Sequence, residues 1–108
     1  MVIYTNWFIP ERFQACNYGP ITLIRPVQRD NAALHAHEAT HERQFYRTFG
    51  LMGILYVLSR RHRQQYEVEA YREQLKFEPQ NLDYYANSLA TKYDLDITVD
   101  EARGLLAG

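Results

Sequence analysis

His37 and His41 stand four residues apart in the run His37-Glu38-Ala39-Thr40-His41. On an α-helix, side chains at i and i+4 lie one above the other on the same face. Two imidazoles so placed can each present a nitrogen to one zinc ion at about 2 Å. Glu38, next to the first histidine, projects close enough to reach a water activated by that metal. A carboxylate there can take the water's proton as it attacks a carbonyl. One helix would thus carry two metal ligands, His37 and His41, and a catalytic base, Glu38. The pattern is short, and in a chain of 108 residues with four histidines chance produces it in roughly one shuffled sequence per hundred. Its context therefore has to carry part of the weight.

Catalytic zinc usually has three protein ligands and one open position. A second pattern, with a glycine three residues after His41 and a third histidine three further on, is excluded because Gln44 and Arg47 hold those places. The run Tyr66-Glu67-Val68-Glu69-Ala70-Tyr71 supplies two carboxylates, 26 and 28 residues after His41. They lie about 200° apart on a helix, so one of the two faces the metal.

The surrounding elements must present these groups. Val2 to Ile9 is rich in β-branched and aromatic residues and reads as a strand. After the turn signal Asn17-Tyr18-Gly19-Pro20, Ile21 to Val27 reads as a second strand, which Pro26 assigns to a sheet edge. The two are expected to form a short antiparallel pair. Asp30 or Asn31 is the expected cap of a helix from Ala32 to Arg47, with Leu34, His37, His41 and Phe45 on one face. Leu51 to Arg63 is expected as a second helix, with Leu51, Ile54, Leu55 and Leu58 toward the core. Tyr66 to Phe77 and Leu82 to Tyr93 follow, with Asn81 capping the latter. Thr98 and Glu101 form a capping box for a last helix through Leu106. The expected fold is a single α+β domain over residues 1–108, mainly helical, with a short N-terminal antiparallel sheet.

Three of these pieces carry a resemblance. The strand Gly19-Pro20-Ile21-Thr22-Leu23-Ile24-Arg25-Pro26, the helix with His37-Glu38-Ala39-Thr40-His41-Glu42-Arg43-Gln44 and the helix with Glu67-Val68-Glu69-Ala70-Tyr71 span most of residues 19 to 75. Together they resemble the gluzincin metallopeptidases, in particular the small minimal zincins of bacteria and their phages. The resemblance implies a zincin-like fold, a Zn²⁺ cofactor and hydrolysis of peptide bonds in a peptide or protein substrate. It implies Glu67 as the third ligand, as the first glutamate of an E-x-x-x-D run. Tyr71 holds the place of the aspartate that orients a ligand histidine in that run, so a hydroxyl stands where the family has a carboxylate. It further implies that the edge strand Ile21 to Arg25 holds substrate by adding a strand to the sheet. An oxyanion donor is expected among Tyr66, Tyr71, His62, Tyr84 and Tyr85.

Composition narrows the other classes. Net charge is −1 with a single cysteine, Cys16, so neither a nucleic-acid-condensing polycation nor a disulfide-stapled scaffold is expected. The Arg60-Arg61-His62-Arg63 run reads as a solvated helix end near the negative pole of its dipole, not as a nucleic-acid site. His35, two residues before His37, points away from the pair and reads as a surface residue. Phe49 to Leu58, the most apolar run, is shorter than the roughly 20 residues a bilayer requires. Met1 to Trp7 has no basic segment followed by an apolar one, so no signal peptide is expected. The expected location is cytoplasmic, or the virion for a phage protein. The alternative function is a non-catalytic structural or assembly component, such as part of a phage particle, with other chains as partners.

Overall fold

The computed structural model describes all 108 residues. Three short strands, β1 (Val2–Tyr4), β2 (Ala15–Tyr18) and β3 (Ile21–Ile24), precede five helices. The helices are α1 (Ala32–Arg47), α2 (Leu51–Leu58), α3 (Arg60–Phe77), α4 (Leu82–Lys92) and α5 (Val99–Ala107). The architecture is α+β and mainly helical, as expected. No helix is long and apolar enough to cross a membrane.

The sheet departs from the expected antiparallel pair. Its order is β1-β3-β2, with β1 parallel and β2 antiparallel to β3. The strand expected at the edge is therefore the central one. Pro26 does not interrupt the ladder because β3 ends at Ile24, and the proline instead opens a short 3-10 turn. The edge beside α1 belongs to β2, whose mixed Ala-Cys-Asn-Tyr sequence carries no strong strand pattern. Asn17 secures the β2–β3 turn by bonding the carbonyl of Gly19 and the hydroxyl of Thr22. Gly19 has φ +71 and leaves room for the ring of Phe45, so the turn rests directly on α1.

Helix α1 has its expected bounds, and Asn31 is the cap, accepting from the backbone of Leu34. Its buried face is mostly polar: His37, Glu38, Thr40, His41 and Gln44 point inward, while Leu34 and Phe45 are only half-buried. That face lies on α3. His37 meets Gln74, His41 meets Glu67 and Gln44 meets Tyr66, so the two helices run antiparallel.

The expected helix from Leu51 to Arg63 is two helices. Ser59 is extended and caps α3, accepting from the backbone of His62. Leu51, Ile54 and Leu58 face solvent, and Met52 is the buried residue of α2, with Leu55 and Tyr56 half-buried beside it. Every residue from Leu51 to Leu58 except Gly53 is apolar or aromatic, so periodicity defines no single stripe. The basic run opens α3 rather than closing a helix. Arg63 nevertheless meets negative poles, because its guanidinium donates to the carbonyls of Tyr56 at the end of α2 and of Tyr93 and Asp94 after α4.

The buried side of α3 also packs on α4 and α5, through Tyr71, Tyr85, Ala86, Leu89, Leu95, Ala102 and Leu106. Asn81 makes no side-chain cap for α4. The Thr98–Glu101 capping box at α5 is present in both directions.

The orientation of α2 has a direct test by urea unfolding. Met52→Ala should cost about 2–4 kcal/mol, because it empties a buried position. Ile54→Ala should cost under about 0.5 kcal/mol, and the reverse order would restore Ile54 to the core.

Candidate metal centre

His37, His41 and Glu67 converge, with their ligand atoms all within 4.8 Å of one another. The Nε2 atoms of His37 and His41 lie 3.1 and 3.2 Å from the same oxygen, Oε1 of Glu67. Ligands about 2.05 Å from a tetrahedral zinc stand about 3.3 Å apart, so small outward shifts would accommodate the ion. The three residues are 4%, 5% and 2% exposed.

Each imidazole is held from behind. Nδ1 of His41 donates to Oε1 of Gln44 at 2.9 Å. The amide of Gln44 can point only that way, because its Nε2 donates to the carbonyl of Tyr66 and to Glu69. Nδ1 of His37 donates to Oε1 of Gln74 at 2.8 Å. With Nδ1 committed, Nε2 is the nitrogen left to face a metal. The second oxygen of Glu67 accepts from the hydroxyl of Tyr56 at 2.5 Å, which leaves Oε1 facing the two histidines.

Glu69, the other carboxylate considered, lies outside this group, where it pairs with Arg47 and Gln44. Tyr71 does not orient a histidine through its hydroxyl. That hydroxyl shares a hydrogen bond with Tyr93, and the Tyr71 ring sits edge-on to His37, 4.4 Å between centroids. The orienting groups are Gln44 and Gln74, which sequence reasoning missed. Both lie one helical turn or two from a ligand, at His41 plus three and Glu67 plus seven. Tyr56 was missed as well, inside an apolar run read as core.

Of the remaining candidates, Tyr84 and Tyr85 line one cavity with His37 and Glu38, and the others lie elsewhere. His35 bonds Tyr4 and the Asn31 carbonyl, and His62 bonds Ser59. Tyr85 donates to Glu78, Tyr84 is mostly exposed and Tyr66 is buried. None of these hydroxyls or ring nitrogens bonds a ligand residue.

The electrostatics are those of a carboxylate buried between imidazoles. Burial disfavours ionisation of Glu67, but His41 and hydrogen bonds from both histidines outweigh it and hold the carboxyl well below its usual range. Burial also disfavours charge on His41, yet the Glu67 carboxylate pushes it up to about 9. Without metal, a proton thus occupies the space between His41 and Glu67. Glu38 is raised, by burial first and against the pull of both histidines. Its Oε2 is the one buried side-chain polar atom in the chain that has no partner.

That orphan atom and the donor set fit a zinc ion with an open position. A buried polar atom without a partner costs about 1–3 kcal/mol, so its retention beside two histidines and a carboxylate points to a group it would contact. Two nitrogens and one oxygen are the ligand set of several catalytic zinc sites.

Comparison with known proteins found no matching family model, curated protein or solved structure.

Two outcomes follow from the raised His41. The folded value lies above the ordinary 6.5, so the stability that His41 contributes to the metal-free protein is full below 6.5 and lost as pH rises through about 9. Glu38, also raised, acts in the same direction. Zinc must displace the His41 proton, so apparent affinity should rise about tenfold per pH unit up to about 9 and level off above. Competition titrations against a chelator from pH 6.5 to 10 measure this, and a flat profile would contradict the assigned ligand.

Proposed function

We propose that this chain is a zinc-dependent metallopeptidase of the minimal zincin type, with His37, His41 and Glu67 as ligands and Glu38 as general base. The observation that carries the reading is the unpartnered, buried Oε2 of Glu38 beside a three-ligand cluster. A purely structural zinc is normally closed by four protein ligands, whereas three ligands and a free carboxylate leave room for a water and a substrate carbonyl.

Zinc bound there would supply Lewis acidity, lowering the pKa of a water and polarising the scissile carbonyl. Glu38 takes the proton of the attacking water. It then delivers the proton to the leaving amine. Gln44 and Gln74 keep both imidazoles in one tautomer and orientation throughout. Tyr56 holds Glu67 by its outer oxygen.

The strand that receives substrate differs from the one expected. Both edges of β3 are occupied, by β1 and β2, so Ile21 to Arg25 has no free edge. The free edge near the site is that of β2, and Phe13, Gln14 and Ala15 line one cavity with His37 and Glu38. A peptide paired with this segment would lie across Glu38.

A second reading has its own observation. Leu51, Ile54, Val57 and Leu58 of α2 are 52–80% exposed, and Phe49 is 99% exposed. Such an apolar face suits an assembly component with other chains as partners, a particle protein among them. The two readings part on Glu38. In zinc-loaded protein, Glu38→Gln should retain the metal and lower kcat about 10²–10⁴-fold against a peptide library read by mass spectrometry. Full hydrolysis by that variant would remove Glu38 as the base, and no hydrolysis by wild type would leave the assembly reading.

A further inference from the structure

The cavity that reaches Glu38 has a chemical character of its own. Its volume is about 190 Å³, below the roughly 300–1,000 Å³ of sites that enclose drug-sized ligands. It therefore holds one residue or one side chain beside the scissile bond, not an extended stretch. Its ionisable wall residues are His37, Glu38, Glu78 and Lys92. Glu78 is already engaged, with Oε2 accepting from Asn81 at 2.6 Å and from Tyr85 at 2.7 Å.

Lys92 is different. It is half-buried in the last turn of α4 and makes no ion pair, whereas Lys76, the other lysine, is paired with Glu73 at 2.8 Å. The ammonium lies 5.9 Å from the centroid of the Phe13 ring, at the outer limit of a cation–π contact. Phe13 stacks on Tyr93, whose hydroxyl meets that of Tyr71, which in turn touches His37. A continuous aromatic wall thus runs from the lysine to the metal ligands. A half-buried lysine on that wall, with no carboxylate of its own, is a ready counter-charge for a ligand's carboxylate.

We infer that the cavity beside Glu38 binds a substrate carboxylate through Lys92. The preferred substrates are then peptides carrying a negative group immediately next to the cleaved bond, either the α-carboxylate of a C-terminal residue or an acidic side chain. The inference deepens the peptidase reading and rests on it for the reaction, though not for the binding.

The test uses single-residue probes whose binding is read directly, without a cleavage step. N-acetylalanine, its amide, N-acetylglutamic acid α-amide and N-acetylglutamine α-amide are titrated by NMR into zinc-loaded wild type and Lys92→Met. Equal zinc content and circular dichroism establish that the variant is folded. One of the two acids should bind wild type at least 10-fold more tightly than its neutral counterpart, and Lys92→Met should erase that preference while leaving the neutral probes unchanged. Preference for N-acetylalanine identifies a C-terminal carboxylate, and preference for the glutamic derivative identifies a side chain. Lys92→Glu should reject both acids. Equal binding of acids and amides by wild type, or a preference that survives in Lys92→Met, would overturn the inference. Peptides ending in the preferred acid are assayed in parallel for cleavage. Lys92-dependent binding without any cleavage would sink the peptidase reading while leaving the carboxylate site standing.

Discussion

The fold turns on the burial of one carboxylate. Glu67 is 2% exposed between two helices, and an isolated carboxylate in such a place would neutralise rather than stay charged. It stays charged because two imidazoles address one oxygen and a tyrosine hydroxyl the other. The antiparallel packing of α1 on α3 is a consequence of the same set of contacts. A polar seam of His37, His41, Gln44, Glu67 and Gln74 replaces the apolar stripe that normally joins two helices. Such a seam contributes little hydrophobic stabilisation, and its members must be mutually satisfied to be tolerated.

The other elements brace that seam. The sheet rests on α1 through Gly19 and Phe45, and Thr22 donates to Glu42 on the same helix. Helix α2 brings Tyr56 to Glu67, and Arg63 ties the end of α2 to the segment after α4. The conventional apolar core adjoins that seam along the same buried side of α3, where Tyr71 meets α4 and α5. Stability and chemistry thus meet along one side of α3, where the ring of Tyr71 touches His37. For a chain of 108 residues, this leaves the α1–α3 interface dependent on polar contacts, and a bound metal would stabilise it.

Local patterns were legible where they recur within one element. The histidine spacing, the Asn31 cap and the capping box at Thr98 each lie within a few residues, and each element formed as read. Of the two carboxylates offered by the sequence, Glu67 faces the histidines and Glu69 does not. What stayed hidden depends on long-range pairing. The position of a strand within a sheet is set by partners, so β3 read as an edge although β1 and β2 flank it. An all-apolar α2 offers no periodicity from which to choose an inward face. Gln44 and Gln74 look like ordinary helix-surface residues until the opposing helix is in place.

The central claim is that His37, His41 and Glu67 hold one zinc ion. It is tested most directly by elemental analysis of protein purified without chelator, for wild type, His41→Ala, Glu67→Ala and Glu69→Ala. The account predicts one zinc per wild-type chain, lost in His41→Ala and Glu67→Ala and kept in Glu69→Ala, since Glu69 lies outside the cluster. A well-folded wild type that holds no zinc even after the metal is added back would contradict it.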